Sequence, residues 1–249
     1  LIKMVNKNID QAIILAAGYG KRLRPITLKT PKPLILINNQ PIIFYLLEEL
    51  RNNNILKCFI NVHYLPDQII NFIKQYSNHY KLMEIKIINE KNILDTGGAI
   101  KNIVKNYNDR PFIVINGDSI IISDKNKESP VKTLINNFDI NQMDYLLLLD
   151  NNKNSIGYKG RGDFYFIKNK LPSIIHRSIK HNIAYTGWQI VNPKPITKIN
   201  KNKFSLNICY DKAILDKSLW GTLNNNQWLH IGTKSSLIES ERWIKNNIL

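Results

Sequence analysis

The most informative part of the sequence is Leu15-Ala16-Ala17-Gly18-Tyr19-Gly20-Lys21-Arg22-Leu23-Arg24-Pro25, completed by Thr30-Pro31-Lys32-Pro33-Leu34. It follows an apolar run over 12–17, which is short enough to be a buried strand and too short for a helix. Gly18 and Gly20 can take backbone angles that are closed to other residues, so that successive N–H groups can turn toward an anion. Arg22 and Lys32 supply charges that suit phosphate oxygens. The stretch therefore predicts a phosphate-binding loop after a strand.

The rest of the chain alternates between helix-like and strand-like patterns. Apolar periodicity predicts helices over 41–54, 66–76, 95–105, 204–216 and 235–246. It predicts strands over 57–62, 84–88, 111–115, 144–149 and 228–231, with antiparallel or mixed strands in 160–166 and 183–191. This rhythm implies parallel pairing. We expect one α/β domain over 1–249, with a Rossmann-like, mostly parallel central sheet flanked by helices in 1–150 and a small mixed β part in 151–249.

Three segments are expected to meet at one edge of that sheet. Ligands of open α/β sheets bind beyond the carboxyl ends of the strands. The loop with Gly18, the segment 90–98 and Asp118 all follow predicted strands. The helix that opens at Asp95 should also present free N–H groups there. Because Mg²⁺ is held by one or two carboxylates plus substrate phosphates, Asp118 is the predicted metal ligand, although an aspartate after a strand is also a common turn former.

The net charge of the protein raises the question of whether it binds nucleic acid or membranes. The formal net charge is +16 and the isoelectric point is near 9.7, as in many proteins that bind nucleic acid or anionic membranes. The lysines, however, are scattered among asparagines, and the chain carries no RNA-recognition motif. We therefore expect solvated surface lysines and neither a nucleic-acid nor a membrane partner.

Cys58 and Cys209 lie far apart and are predicted to be buried thiols in a reducing compartment. The sequence shows neither a signal-peptide core nor an apolar run of membrane-spanning length. We expect a cytoplasmic protein.

The string LAAGYGKRLRPIT followed by PKPL resembles the signature of the sugar-1-phosphate nucleotidyltransferases, and the similarity extends over essentially the whole chain. The resemblance implies a GT-A-like nucleotidyltransferase fold and an enzyme that joins a nucleoside triphosphate to a sugar 1-phosphate with release of pyrophosphate. GRGDF at 160–164, the turn at 96–98 and a short C-terminal region are similar to the N-acetylmuramate 1-phosphate uridylyltransferases, which favours UTP. The mannose-1-phosphate guanylyltransferases share the N-terminal signature equally well and stay an alternative.

For this reaction the residues take definite roles. Arg22 would clamp the β and γ phosphates, Lys32 would neutralise the α-phosphate or the sugar phosphate, and Asp118 would hold Mg²⁺. The predicted nucleotide contacts are Ala16, Ala17, Gly18, Tyr19, Gly20, Lys21, Arg22, Glu90, Thr96, Gly97 and Gly98. The predicted sugar contacts are Asn116, Arg161, Asp163, Thr186 and Gly187. Structural explanations stand beside these roles, since Thr96 could cap its helix and Gly187 could form a bulge.

One departure from the family pattern concerns the metal. Leu229-His230-Ile231-Gly232-Thr233 stands where the family usually has a second magnesium aspartate, as in Val-Asp-Val-Gly-Thr. Histidine suits Mg²⁺ poorly, so we expect a weaker site, a site that prefers Mn²⁺ or a water in place of the second ligand, with His230 as the candidate ligand. This departure and the lack of a Glu-Lys-Pro sugar clamp leave room for a catalytically weak, nucleotide-binding regulatory subunit, which the intact Arg22, Lys32 and Asp118 oppose.

Overall fold

A computed structural model describes residues 9–107, 110–151, 155–177 and 183–248. The strands are β1 (Gln11–Leu15), β2 (Leu36–Ile37), β3 (Gln40–Pro41), β4 (Lys57–Val62), β5 (Glu84–Asn89), β6 (Phe112–Asn116), β7 (Ser119–Ile122), β8 (Tyr145–Asp150), β9 (Phe164–Phe166), β10 (Ser173–Arg177), β11 (Ala184–Val191), β12 (Leu219–Leu223) and β13 (Gln227–His230). The helices are α1 (Ile42–Asn52), α2 (Pro66–Gln75), α3 (Asp95–Tyr107), α4 (Pro130–Asn137), α5 (Pro193–Thr197), α6 (Asn207–Leu215) and α7 (Lys234–Ile248).

A nine-stranded sheet with the order β5-β4-β1-β6-β11-β8-β12-β10-β9 forms the centre of the molecule. The strands β5, β4, β1 and β6 run parallel to one another. Strand β11 is antiparallel to both β6 and β8, and β12 is parallel to β8. The edge strands β10 and β9 continue the sheet in antiparallel fashion. The predicted α/β class, with a mostly parallel sheet and a mixed part, is confirmed.

The order of the first strands creates a crevice. From β1 the chain builds outward through β4 to β5, and it then returns to place β6 on the other side of β1. The connections that follow β1 and β6 therefore diverge at this topological switch point, where open α/β sheets bind ligands.

Apolar residues cover both faces of the central strands. Ile13 and Val114 lie in one hydrophobic cluster, while Ile14 and Ile115 lie in the other, on the opposite face of the sheet. Because both faces are buried, these strands appear in the sequence as continuous apolar runs rather than alternating ones.

Strand β7, directly after the switch-point strand β6, pairs with β13, so that His230 lies opposite Ser119.

Cys58 and Cys209 are buried free thiols, as predicted. In the part of the chain that the structure describes, no helix has both the length and the apolar character needed to cross a membrane.

Candidate active site

A cavity of about 430 Å³ opens at the switch point, where β1, β4 and β6 end. Eleven of the predicted site residues line it, namely Ala16, Ala17, Gly18, Gly20, Lys21, Arg22, Lys32, Glu90, Thr96, Asn116 and Asp118. These residues come from three segments that are distant in sequence, and the predicted convergence of the segments is confirmed.

The loop after β1 uses its two glycines differently. Gly20 has φ +61°, and an added Cβ would lie 2.8 Å from Thr27 Cγ2, so this position requires glycine on both counts. Thr27 Oγ1 also donates to the Gly20 carbonyl at 2.9 Å. The expected left-handed backbone is thus found at Gly20 but not at Gly18, where a Cβ would meet no protein atom within 4 Å. Gly18 leaves open space in the wall of the cavity.

Lys32 and Asp118 form an ion pair inside the cavity. Lys32 Nζ lies 2.7 Å from Asp118 Oδ2, and the two side chains are only 13% and 25% exposed. Pro31 and Pro33 flank the lysine at the start of a one-turn 3₁₀ helix, Lys32–Leu34. The two prolines restrain the backbone on either side of Lys32. A cation and a carboxylate are therefore held together before any substrate is bound.

The backbone around Asp118 is fixed from two sides. The Gly117 N–H donates to the Leu15 carbonyl at 2.9 Å, and an added Cβ at Gly117 would lie 2.6 Å from the same oxygen. The Ile231 N–H donates to the Asp118 carbonyl at 2.9 Å. Glycine at 117 thus allows the end of β6 to approach β1 closely, and Ile231, directly after β13, holds the backbone of Asp118.

Ser119 anchors the same segment to the rest of the sheet. Its hydroxyl donates to the Thr186 carbonyl and accepts from Trp228 Nε1 at 2.9 Å, while Trp188 Nε1 donates to the Ser119 carbonyl at 3.0 Å. These buried bonds limit the movement of the neighbouring Asp118 carboxylate.

The electrostatics of the pair favour an ionised carboxylate. Burial raises the pKa of Asp118. Four other effects outweigh burial and bring the pKa below its ordinary value: the charge of Lys32, the charge of His230 when protonated, the hydrogen bond from Lys32 and the charge of Arg22. Burial lowers the pKa of His230; Asp118 and Asp163 oppose this shift, and the charges of Lys32 and Arg22 add to it. At neutral pH the site therefore holds a charged Asp118 beside a neutral imidazole.

Gly232 allows two of these side chains to lie against the backbone. A Cβ at this position would be 2.9 Å from His230 Nε2 and 3.3 Å from Arg22 Nη1. Gly232 itself lines the cavity. The guanidinium, the imidazole and the ion pair are thus placed in one neighbourhood.

The start of α3 differs from the prediction. The N–H groups of Gly97 and Gly98 both donate to the Phe204 carbonyl, at 3.0 and 3.1 Å, so the expectation of free N–H groups for a ligand is wrong at these two positions. The Leu206 N–H donates to Thr96 Oγ1 at 2.9 Å. A Cβ at either glycine would clash with the segment 202–204. Both glycines lie outside the cavity and serve the docking of this segment, while Thr96 lines the cavity.

Four of the five predicted sugar residues do not line the cavity. Gly187 has φ +87° at a register shift in β11, and a Cβ there would lie 3.0 Å from Asn116 Nδ2. The Thr186 hydroxyl is buried and donates to the Leu148 carbonyl at 2.8 Å. Asn116 lines the cavity, whereas Thr186 and Gly187 do not.

Arg161 and Asp163 are both exposed. Asp163 Oδ2 accepts from the Tyr185 N–H at 2.9 Å and from the Tyr158 hydroxyl at 3.4 Å. Tyr19 also lies outside the cavity wall, with its ring edge-on to His63 and Tyr64. Contact of these residues with sugar or nucleotide stays a prediction.

Asn61, Asp95 and Gly232 line the cavity and were missed as site residues. Asn61 is the polar residue near the end of the apolar run 57–62, the same signal that singled out Asn116 at the end of β6. Asp95 has φ +63°, and its Oδ1 accepts from the Thr96 N–H at 2.6 Å. Within the described ranges, no group of three or more His, Cys, Asp or Glu side chains could hold a metal ion by itself.

Comparison with known proteins agrees with this geometry. The sequence matches the family described as nucleotidyl transferase over residues 11–155, which is more than half of the chain. The chain belongs to the nucleotidyl transferase family. The resemblance to the sugar-1-phosphate nucleotidyltransferases is confirmed, and the chain is an enzyme of this class.

Two curated relatives illustrate the range of similarity to this nucleotidyltransferase. The N-acetylmuramate alpha-1-phosphate uridylyltransferase of Caulobacter vibrioides is 26% identical over 231 residues, covering 92% of this chain and 95% of that protein. The mannose-1-phosphate guanyltransferase of Aspergillus oryzae is 37% identical, but over only 112 residues, or 44% of this chain and 30% of that protein.

Solved structures share the fold at lower identity. A UDP-glucose pyrophosphorylase in complex with UDP-glucose superimposes with a TM-score of 0.79 at 17% identity, covering 96% of this chain and 99% of that one. A putative glucose-1-phosphate thymidylyltransferase from Bacillus anthracis gives 0.78 at 20% identity, covering 95% and 96%. These likenesses confirm the predicted fold.

Proposed function

We propose that the enzyme transfers uridylate from UTP to the phosphate of N-acetylmuramate 1-phosphate, releasing pyrophosphate. The observation that carries the reaction type is the ion pair of Lys32 with Asp118 in the wall of a cavity that Arg22 also lines. The choice of substrates rests on the uridylyltransferase relative, since its similarity extends over nearly the whole of both chains.

The proposed chemistry places two anions next to each other. A phosphate oxygen of the sugar 1-phosphate attacks the α-phosphorus of UTP, a new P–O bond forms, and the bond to the β-phosphate breaks with pyrophosphate as the leaving group. The main task of the protein is to screen the repulsion and hold the reactants in line. Arg22 would bind the departing phosphates, and Lys32 would bind the α-phosphate or the incoming phosphate.

Asp118 is the residue that would hold a divalent cation, with His230 as a weaker candidate beside it. The donor set suits Mg²⁺, which takes one or two protein carboxylates and completes its shell with water and substrate phosphates. The low pKa of Asp118 keeps this carboxylate ionised and able to bind a cation. When bound, the ion would neutralise phosphate charge.

The position of Glu90 favours a nucleotide whose base carries a ring N–H. Its carboxylate lines the cavity and receives N–H donors from Asn61 and Leu94, so that it acts as an acceptor. Uracil offers N3–H to such an acceptor, whereas cytosine offers only a lone pair at N3. Thymine offers the same N3–H and guanine offers N1–H, so this acceptor does not choose among the three. The guanyltransferase relatives make GTP with mannose 1-phosphate the second candidate.

A pyrophosphate-release assay tests the proposal. Purified enzyme with Mg²⁺ or Mn²⁺ is given UTP, GTP, CTP or dTTP together with N-acetylmuramate, mannose or glucose 1-phosphate. We expect the highest kcat/KM with UTP and N-acetylmuramate 1-phosphate. A preference for GTP with mannose 1-phosphate would replace the proposal by its alternative. Nucleotide binding without pyrophosphate release from any pair would favour the regulatory-subunit hypothesis. In a separate binding experiment, salt-sensitive affinity for RNA would favour a nucleic-acid-binding protein.

A further inference from the structure

Asn61 occupies an unusual place for an amide side chain. It lies in β4 opposite Leu15 of β1 and Ile88 of β5, at the carboxyl ends of these strands. It is 3% exposed and still lines the cavity. A buried polar side chain at this point must have hydrogen-bond partners, because the loss of its hydration is otherwise not compensated.

Its partners come from two different loops. The Ala16 N–H donates to Asn61 Oδ1 at 2.8 Å, and Asn61 Nδ2 donates to Glu90 Oε1 at 2.8 Å. A backbone N–H can only donate and an ionised carboxylate can only accept, so these partners permit just one orientation of the amide. The side chain therefore bridges the phosphate-binding loop to the segment after β5.

Glu90 extends the bridge. It is 4% exposed, its Oε2 accepts from the Leu94 N–H at 3.2 Å, and its own N–H donates to the Val62 carbonyl at 2.8 Å. The carboxylate thus ties together both ends of the segment 90–94. The residues that follow, Asp95 and Thr96, form a wall of the cavity.

We propose that Asn61, acting through Glu90, is a positioning residue for the nucleotide: it sets the distance between the phosphate-binding loop and the 90–96 wall. The inference rests on the proposed function, in which this cavity holds the triphosphate and its base. Loss of the bridge should weaken nucleotide binding more than it slows the chemical step, because Lys32 and Asp118 are held by their own ion pair.

Variants that exchange the amide of Asn61 and the carboxylate of Glu90 test this proposal. Asn61→Asp keeps an acceptor for the Ala16 N–H but faces Glu90 with a second carboxylate. We expect this variant to raise the Kd for UTP at least tenfold, with kcat within threefold of the wild type. Asn61→Asp combined with Glu90→Gln restores all three bonds, because the amide and the carboxylate exchange places. Nε2 of the new amide donates to the aspartate, and its Oε1 accepts from the Leu94 N–H. Glu90→Gln alone is the reference for this double variant, because both lack the Glu90 carboxylate that would face the base. We expect the double variant to bind UTP more tightly than Glu90→Gln alone.

A matched pair elsewhere controls for a merely structural role. Asn53 Nδ2 donates to Glu49 Oε1, also at 2.8 Å, at the end of α1 and outside the cavity wall. Asn53→Asp should lower the thermal midpoint without changing the Kd for UTP. Asn61→Ala, which adds no charge, serves if Asn61→Asp does not fold, and it should also raise the Kd.

Calorimetry with UTP, and in parallel with GTP, gives Kd without requiring turnover. An Asn61→Asp or Asn61→Ala variant that binds the preferred nucleotide as tightly as the wild type would overturn the inference, as would a double variant that binds it no better than Glu90→Gln alone. A wild type that binds nucleotide but gives no pyrophosphate would overturn the proposed function and leave this test intact.

Discussion

Lys32 Nζ and Asp118 Oδ2 lie 2.7 Å apart, although the two residues are separated by 86 positions in the sequence. The lysine follows the loop after β1, and the aspartate follows the central strand β6. The pair therefore joins the two sides of the switch point. In the proposed reaction Asp118 would hold a divalent cation and Lys32 would bind phosphate, so the two residues would share the task of neutralising phosphate charge.

Replacing Lys32 should separate catalysis from cation binding. We expect Lys32→Met to lower kcat/KM by about 100-fold, the size of effect typical of a lost charge at a transition state. The same change should tighten Mn²⁺ binding in the absence of nucleotide, because Asp118 no longer has a tethered partner. Mn²⁺ affinity is measured by electron paramagnetic resonance.

Lys127→Met is the control, since Lys127 forms an exposed ion pair with Asp124 away from the cavity. Asp118→Asn should lose both Mn²⁺ binding and turnover. Wild-type turnover in either Lys32→Met or Asp118→Asn would remove the role given to that residue.

Gly18 and Gly20 should respond to alanine in opposite ways. No protein atom lies within 4 Å of a Cβ at Gly18, so Gly18→Ala should leave the free energy of unfolding nearly unchanged. We expect it to raise the KM for the triphosphate roughly tenfold, about 1.4 kcal/mol of binding, because the methyl group would enter the space that the proposed function assigns to phosphate. Gly20→Ala should instead destabilise the fold by about 1–2 kcal/mol through its positive φ.

Urea unfolding and steady-state kinetics on the two variants check this. Should Gly18→Ala leave the KM unaltered, the loop would not approach phosphate at this residue.

Gly232→Ala should disturb the alignment of Arg22 and His230. The added methyl group would lie 2.9 Å from His230 Nε2 and 3.3 Å from Arg22 Nη1, so at least one side chain must move. We expect kcat to fall roughly tenfold while the protein stays folded, since a displacement of about 1 Å can cost as much as 100-fold in rate. The exposed neighbour Lys234 provides the control variant Lys234→Ala. Equal kcat values for the two variants would show that the guanidinium position is not critical.

The pH dependence of stability should carry a contribution from His230. Burial lowers the pKa of this side chain in the folded protein, while the unfolded chain keeps the ordinary value near 6.5. As the pH falls through 6.5, the unfolded chain takes up a proton before the folded one does, so the free energy of unfolding decreases. Asp118 does not contribute in this window, because its folded pKa lies below the ordinary value of 3.8.

His230→Gln should therefore lose less stability than the wild type between pH 7.5 and 5.5 in urea unfolding. Equal losses for the two proteins would mean that the imidazole is not buried as described.

The sequence was informative where one physical signal dominates. Buried parallel strands such as β1 and β6 form continuous apolar runs, and polar residues at their ends mark the cavity. The same signal at the end of β4 would have pointed to Asn61. Charge alone could not show that Lys32 pairs with Asp118, because the pair depends on tertiary approach across the switch point.

The weaker signals failed for identifiable reasons. Strand β12 was not predicted, since Gly221 interrupts its pattern; this glycine is required because a Cβ would lie 2.7 Å from Leu149 Cδ1 and 2.9 Å from Ile175 Cγ2. The helix predicted from 204 begins only at Asn207, because the Phe204 carbonyl accepts bonds from Gly97 and Gly98 instead. Such tertiary contacts override local propensity.

The most direct measurement follows the α-phosphorus. Wild-type enzyme is incubated with UTP labelled with ³²P at the α position and with N-acetylmuramate 1-phosphate, and the products are separated. We predict that the label moves into the UDP-sugar, with one unlabelled pyrophosphate released for each molecule formed, and that Asp118→Asn abolishes the transfer while Lys127→Met does not. Label recovered only as UMP, or a UDP-sugar formed equally well by Asp118→Asn, would contradict the conclusion that this cavity joins the two phosphates.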